Sequence, residues 1–146
     1  MTGHPVNFDD VQVGDAAPVR SHRLSRTDLV AYAGASGDFN PMHHDEILAT
    51  AAGMPSVFGH GMFSMGLLGS AITGWAGAGS VRRYQVRFVK QTWPGETLQT
   101  CVVARARRVE GEVHLVDLEC SLANSAGEVK VVGEATVALP SRSETA

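Results

Sequence analysis

The chain has 146 residues, 12 Lys and Arg against 15 Asp and Glu, a formal charge of -3, and 44% apolar residues. That length suits one domain with a real core. The slight acidity argues against nucleic acid as a partner, which a basic patch and a high pI would announce.

Met1 to Asp10 shows no basic segment followed by an apolar run, so no secretory leader is expected and a cytoplasmic protein is. Residues 1–7 and 141–146 read as frayed ends of a single domain whose core runs from about residue 8 to about residue 139. Phe8 to Gly14 reads as a lead-in loop, followed by a short strand around Val19 to Leu24. Ser25 then caps a helix, with Asp28 three residues on where the helix dipole favours a carboxylate. Leu29, Val30, Tyr32 and Ala33 supply its apolar face, and Ala35-Ser36-Gly37 ends it. Ser36 to His44 is turn chemistry, with Pro41 forcing Asn40 out of the helical region. A short helix from Asp45 to Ala51 follows.

A longer helix is predicted from Met62 to Trp75. It is apolar on most sides, through Met62, Phe63, Met65, Leu67, Leu68, Ala71 and Ile72, as a buried helix is. Glycines, serines and Thr73 interrupt the run, so it does not read as a membrane span. Gly66, Gly69 and Ser70 permit close approach of a sheet or a second chain.

The rest reads as strands. Arg83, Gln85 and Arg87 alternate with Tyr84, Val86 and Phe88. Leu98 to Val109 should place Val102, Ala104 and Ala106 on one face. Val113 to Leu122 should do so with Val116, Leu118 and Cys120, and Val129 to Leu139 with Val129, Val131, Ala135 and Val137. Turns fall at 93–96, 110–111 and 125–127. Cys101 and Cys120 lie in these strands outside any metal spacing, and both are expected to be reduced core residues. Helices first and an antiparallel meander after give an α+β fold, a strongly curved antiparallel β-sheet wrapped around one long central helix.

Two segments carry chemistry. Asp38-Phe39-Asn40-Pro41-Met42-His43 places a carboxylate and an imidazole on one proline-bent loop, a pairing suited to acid/base work on water. Asn40 can hold that loop in shape. Gly59-His60-Gly61 opens the long helix, where backbone N–H groups lack intrahelical partners. The Gly61 N–H could stabilise a developing oxyanion there. Taken alone, the same residues also suit a plain turn with a surface histidine, and a glycine pair that merely starts a helix.

Tyr32 to His43 (Tyr-Ala-Gly-Ala-Ser-Gly-Asp-Phe-Asn-Pro-Met-His) resembles the hydratase 2 motif of the MaoC-like family. Gly59 to Gly66 resembles that family's second segment, and 84–88 with 94–98 its central strand and following turn. The resemblance runs from about Phe8 to Leu139. It implies a hot-dog fold paired with a second hot dog, as homodimer or heterodimer. It implies (R)-specific hydration of trans-2-enoyl thioesters or dehydration of (3R)-hydroxyacyl thioesters, with acyl-CoA or acyl-ACP as partner. By position, Asp38 and His43 become the catalytic pair, Asn40 the loop support and Gly61 the carbonyl-binding amide. No metal and no redox cofactor is implied.

Around this centre, Met62 and Met65 are core residues that can also line an acyl tunnel. Arg82, Arg83, Arg87 and Lys90 form either a solvated strand face or a contact for CoA phosphates or an acidic carrier protein, with Arg87 the candidate substrate contact. His60 reads as a helix-start histidine that fixes the loop, and His44 as a surface residue. His4, His22 and His114 are expected to face solvent, and Tyr32 and Trp75 to pack. Three rival functions fit the same fold: an acyl-thioester thioesterase, a non-enzymatic subunit completing a neighbour's tunnel, and a subunit of a steroid side-chain enoyl-CoA hydratase.

Overall fold

The computed structural model describes residues 6–144. His4 lies outside them. Three helices precede the body of the sheet: α1 (Arg26–Ser36), α2 (Glu46–Ala51) and α3 (Gly61–Ala76). The strands are β1 (Ser21–Arg23), β2 (Val81–Phe88), β3 (Thr97–Glu110), β4 (Val113–Asn124) and β5 (Val129–Ala138). They form one antiparallel sheet in the order β1-β3-β4-β5-β2. β3, β4 and β5 follow one another as hairpins. β2 reaches across to pair with β5 and leaves its other side as a sheet edge.

α3 packs against β2, β3, β4 and β5. Leu68, Ala71, Ile72 and Ala76 on its inner face join Leu98, Val102, Leu118, Leu122, Val131 and Val137 in one buried cluster. Long helix and wrapping sheet together are the hot-dog arrangement. Among the described residues no helix is long and apolar enough to cross a membrane.

Several predicted faces are corrected. α3 is apolar all round but covered on one side only: Met62 is 57% exposed. On α1, Leu29 and Ala33 are buried while Val30 is exposed, because the helix lies over the core along a narrow stripe. A bulge between Ala104 and Ala106 shifts the phase of β3, so Val102 and Ala104 point inward and Ala106 outward. Val129 is exposed while its neighbours Lys130 and Val131 are both buried. Cys120 is buried, and burial pushes its thiol up to about 11. Cys101 is free like Cys120 but exposed on β3 rather than in the core. His22 and His114 are part-buried rather than solvent-facing. His22 Nε2 lies 3.1 Å from Asp28 Oδ2, and His114 packs on the Phe8 ring at 4.9 Å.

Candidate active site

The site begins with how α1 stops. Ser25 and Asp28 form a reciprocal capping box at its start. At its end Gly37 takes φ +76°, a left-handed conformation open to glycine at little cost, and its N–H closes on the Ala33 carbonyl. The chain leaves the helix there and enters a series of local side-chain bonds. Ser36 Oγ accepts from Asp38 N–H at 3.2 Å, and Asp38 Oδ1 accepts from Asn40 N–H at 3.2 Å. Asn40 Oδ1 accepts from Met42 N–H at 3.1 Å, which caps a short 3₁₀ turn over Pro41–His43.

That turn drives His43 inward, to 8% exposure. Its Nδ1 lies 2.7 Å from the Phe58 carbonyl. A carbonyl only accepts, so Nδ1 carries a proton, and in the neutral ring the lone pair is then on Nε2. Nε2 faces Asp38 Oδ2 at 3.7 Å, too far for a direct hydrogen bond. The Asp38 side chain is about half exposed while that of His43 is nearly covered.

The start of α3 meets this loop through His60. His60 is 1% exposed, its Nε2 donates to the Asp38 carbonyl at 3.1 Å, and its ring stacks on His43 with centroids 3.8 Å apart. The Tyr32 ring also packs against it, with centroids 4.9 Å apart. Burial above all holds the His60 imidazole below its ordinary value; the Asp38 carbonyl opposes this and the neighbouring His43 reinforces it. A neutral ring suits the positive end of a helix. Its Nδ1 is buried without a partner among the described residues. Gly61, the first residue of α3, is exposed, and its N–H has no partner within the helix.

A cavity of about 290 Å³ opens beside Gly61, walled by Phe58, Phe88 and Val131, with Gly59, Ser64 and Thr92 around it. Asp38, His43, Met62, Met65 and Arg87 do not line it. Met62 projects outward, and Met65 gives its carbonyl to the Tyr84 hydroxyl at 2.8 Å. The basic stretch is largely engaged elsewhere: Arg82 with the Gly79 and Ser80 carbonyls, Arg83 with Glu134, Lys90 with Glu128. Arg87 is exposed and has no side-chain partner among the described residues.

Sequence reasoning missed the support behind the site. Lys130 is wholly buried on β5, with Nζ 2.9 Å from Glu96 and 2.6 Å from Glu128. Glu96 also accepts from Asn124 and from the Trp93 N–H. This cluster pins the 89–96 loop, and Thr92 of that loop accepts the Gly59 N–H at 2.8 Å. A lysine inside Val129-Lys130-Val131-Val132 was the available signal. Asp38, His43 and His60 also offer ligand atoms within 4.8 Å of one another, the set among the described residues able to approach a metal ion.

A hot-dog helix whose first turn meets an Asp and a His from a proline-bent loop defines a class, and the sequence model of the MaoC like domain matches residues 9–124. The chain belongs to the MaoC-like family. It is 29% identical over 137 residues to an (R)-specific enoyl-CoA hydratase of Rhodospirillum rubrum, covering 92% of each chain. Among solved structures it is similar to the R-hydratase PhaJ1 of Pseudomonas aeruginosa, with TM-score 0.82, 26% identity and coverage of 94% of this chain and 88% of that one. The ChsH1–ChsH2 complex of Mycobacterium tuberculosis shares the fold, with TM-score 0.77, 23% identity, and coverage of 88% of this chain and 98% of that one.

Proposed function

We propose that this chain is a hydro-lyase that adds water to trans-2-enoyl thioesters, and removes it from (3R)-hydroxyacyl thioesters, with Asp38 and His43 as the catalytic pair. The observation that carries this reading is the Nε2 of His43 facing the Asp38 carboxylate across 3.7 Å, at the open start of α3. Such a gap suits one water that bonds to both groups.

The substrate carbonyl takes the Gly61 N–H. His43 Nε2 accepts a proton from the water as its oxygen bonds to C3, and Asp38 takes the second hydrogen bond and orients it. The π electrons pass to the thioester oxygen, where the Gly61 amide and the dipole of α3 stabilise the enolate more than the ground state. The proton then returns to C2, and dehydration runs the same steps backwards. Asn40 holds the loop, while Met62, Met65 and Arg87 are left as contacts for the parts of the substrate beyond the reacting carbons. The mechanism uses the chain's own groups and water.

Acyl-CoA or acyl-ACP is the substrate carrier, and a second hot-dog subunit, identical or not, covers the β2 edge. Phe88 at the end of β2 is 49% exposed and Met62 on α3 is 57% exposed, and an unpaired strand edge with large apolar side chains left in the open invites a partner. The test is crotonyl-CoA followed by two readouts. Loss of the conjugated enoyl absorbance without free thiol is the expected result. Thiol release with the double bond intact would replace this reading by a thioesterase.

A further inference from the structure

A second cavity, of about 200 Å³, lies between α3 and β1 and shares no residue with the one beside Gly61. Phe63, Leu67, Ser70 and Gly74 follow one another at helical spacing and form one stripe along α3. β1 and the residue before it face that stripe. The His22 ring meets Phe63 with centroids 5.7 Å apart, and the Arg20 guanidinium lies on Gly74. A Cβ at Gly74 would overlap Nη2 and come within 2.8 Å of Cζ. Glycine is a poor helix former, and here it leaves the room that the guanidinium takes. Between these two ends Leu67 and Ser70 line the cavity together with Leu98 and Leu122, which are 1% and 0% exposed. The Arg20 backbone is fixed on β3: its N–H donates to Thr100 Oγ1 at 2.9 Å, and its carbonyl accepts from the Thr100 N–H at 2.9 Å. Its guanidinium has no hydrogen-bond or ion-pair partner among the described residues, and neither has the Ser21 hydroxyl beside it. Asp28, which bonds His22 Nε2 at 3.1 Å, does not line the cavity, and neither does any other carboxylate.

We propose that this cavity binds a short aliphatic carboxylate, with its head on the Arg20 guanidinium and the Ser21 hydroxyl and its chain on Leu67, Leu98 and Leu122. A guanidinium takes a carboxylate through two parallel N–H bonds, and this one is held at its base and has its donors unspent. The leucines below it offer no donor, so they suit a hydrocarbon body rather than further charge. A cavity this small takes a chain of a few carbons and not a drug-sized ligand. Inorganic phosphate would use the cation and leave the leucines idle. The site goes beyond the hydratase reading and does not rest on it, since neither Asp38, His43 nor Gly61 lines this cavity.

The test titrates the full chain with hexanoate and follows backbone amides in proton–nitrogen correlation spectra. Saturable shifts at Ser21, His22 and Ser70 are expected. Acetate should bind more weakly, each added methylene tightening binding by about three- to fourfold until the leucines are covered. Hexanol has the chain without the charge and should bind about tenfold more weakly than hexanoate, and Arg20→Gln should weaken hexanoate to a similar degree. Gly74→Ala should do the same by a separate route, because its Cβ takes the place of the guanidinium while alanine favours the helix. Either variant suffices if the other fails to fold. An arginine that serves only the C-terminal end of α3 would cost thermal stability in Arg20→Gln and leave hexanoate binding as in wild type, and that result overturns the proposal. So do shifts confined to Asp38, His43 and Gly61, hexanol binding as tightly as hexanoate, or inorganic phosphate doing so. Failure of the hydratase reading looks different: crotonyl-CoA would keep its double bond while the hexanoate shifts remained.

Discussion

Gly61 allows the proposed oxyanion donor to be removed with the backbone held in place. It is the first residue of α3, where proline is well tolerated and the N–H has no structural partner. The preceding His60 has φ -59° and ψ 132°, the extended conformation a residue before proline adopts. Gly61→Pro therefore deletes one donor without breaking the helix. It also adds a Cβ, which would meet the Phe88 ring at 3.2–3.4 Å. Gly61→Ala adds the same Cβ and keeps the N–H, and the half-exposed Phe88 ring can swing aside in both variants. The ratio Ala to Pro therefore isolates the amide. Loss of one oxyanion donor should lower kcat by about 10²–10³-fold, or about 2.7–4 kcal/mol of transition-state stabilisation. Initial rates of enoyl absorbance loss measure it, with thermal unfolding of both variants as the check on folding. A Pro variant within about threefold of the Ala variant would remove the Gly61 amide from the mechanism.

Asp38→Asn and His43→Ala should each lower turnover by about 10²–10⁴-fold, and the double variant should be little worse than the poorer single, since the pair acts on one water; near-normal rates in either single variant exclude that residue. Lys130→Met should destabilise the fold by about 2–3 kcal/mol in urea titrations, below the usual penalty for a broken buried pair because Glu96 keeps its Asn124 and Trp93 donors. The same cluster sets an acid limb. Bonds from Lys130 and Lys90 hold Glu128 down at about 2 against an ordinary 4.5, and Glu96 is lowered too, its burial outweighed by Lys130, Asn124 and the Trp93 N–H. Their contribution is complete above the ordinary carboxylate range and is lost as pH falls through the folded values, so stability should drop between pH 4.5 and about 2 and Lys130→Met should flatten that drop. Light scattering at micromolar concentration should give at least twice the chain mass, alone or with a second hot-dog chain, and a monomer in both settings would refute the covered β2 edge.

What the sequence revealed of the fold is what short-range physics encodes. Ser25 with Asp28, Asn40 before Pro41 and Gly37 after Ser36 each act on neighbours within four positions, and each forms the cap or turn expected of it. Alternation located four long strands, but it fails where a bulge inserts a residue, as between Ala104 and Ala106. The uniform apolarity of α3 predicts a buried helix open to close approach by a sheet or a second chain, and within this chain one side of it stays uncovered. Periodicity cannot say whether the second half of an apolar helix faces its own sheet or another subunit.

The site follows the same division. Asp38 and His43 are legible because five positions on one loop suffice to bring them together, and the proline makes that loop stiff. His60 was expected to fix the loop, and it does, yet nothing local announces that it stacks on His43 and bonds to the Asp38 backbone, contacts made between separate elements. Thr92 and Lys130 are more distant still. Lys130 pins Glu96, the 89–96 loop presents Thr92, and Thr92 seats Gly59 two residues before the Gly61 amide. The Lys130–Glu96 and Thr92–Gly59 bonds join elements far apart in the chain, so both are invisible to spacing. The proposed acid/base pair is thus specified locally, whereas the position of the amide proposed to oppose it is specified by the sheet. A change at Lys130 should then disturb the carbonyl end of the reaction while the Asp38–His43 geometry remains intact.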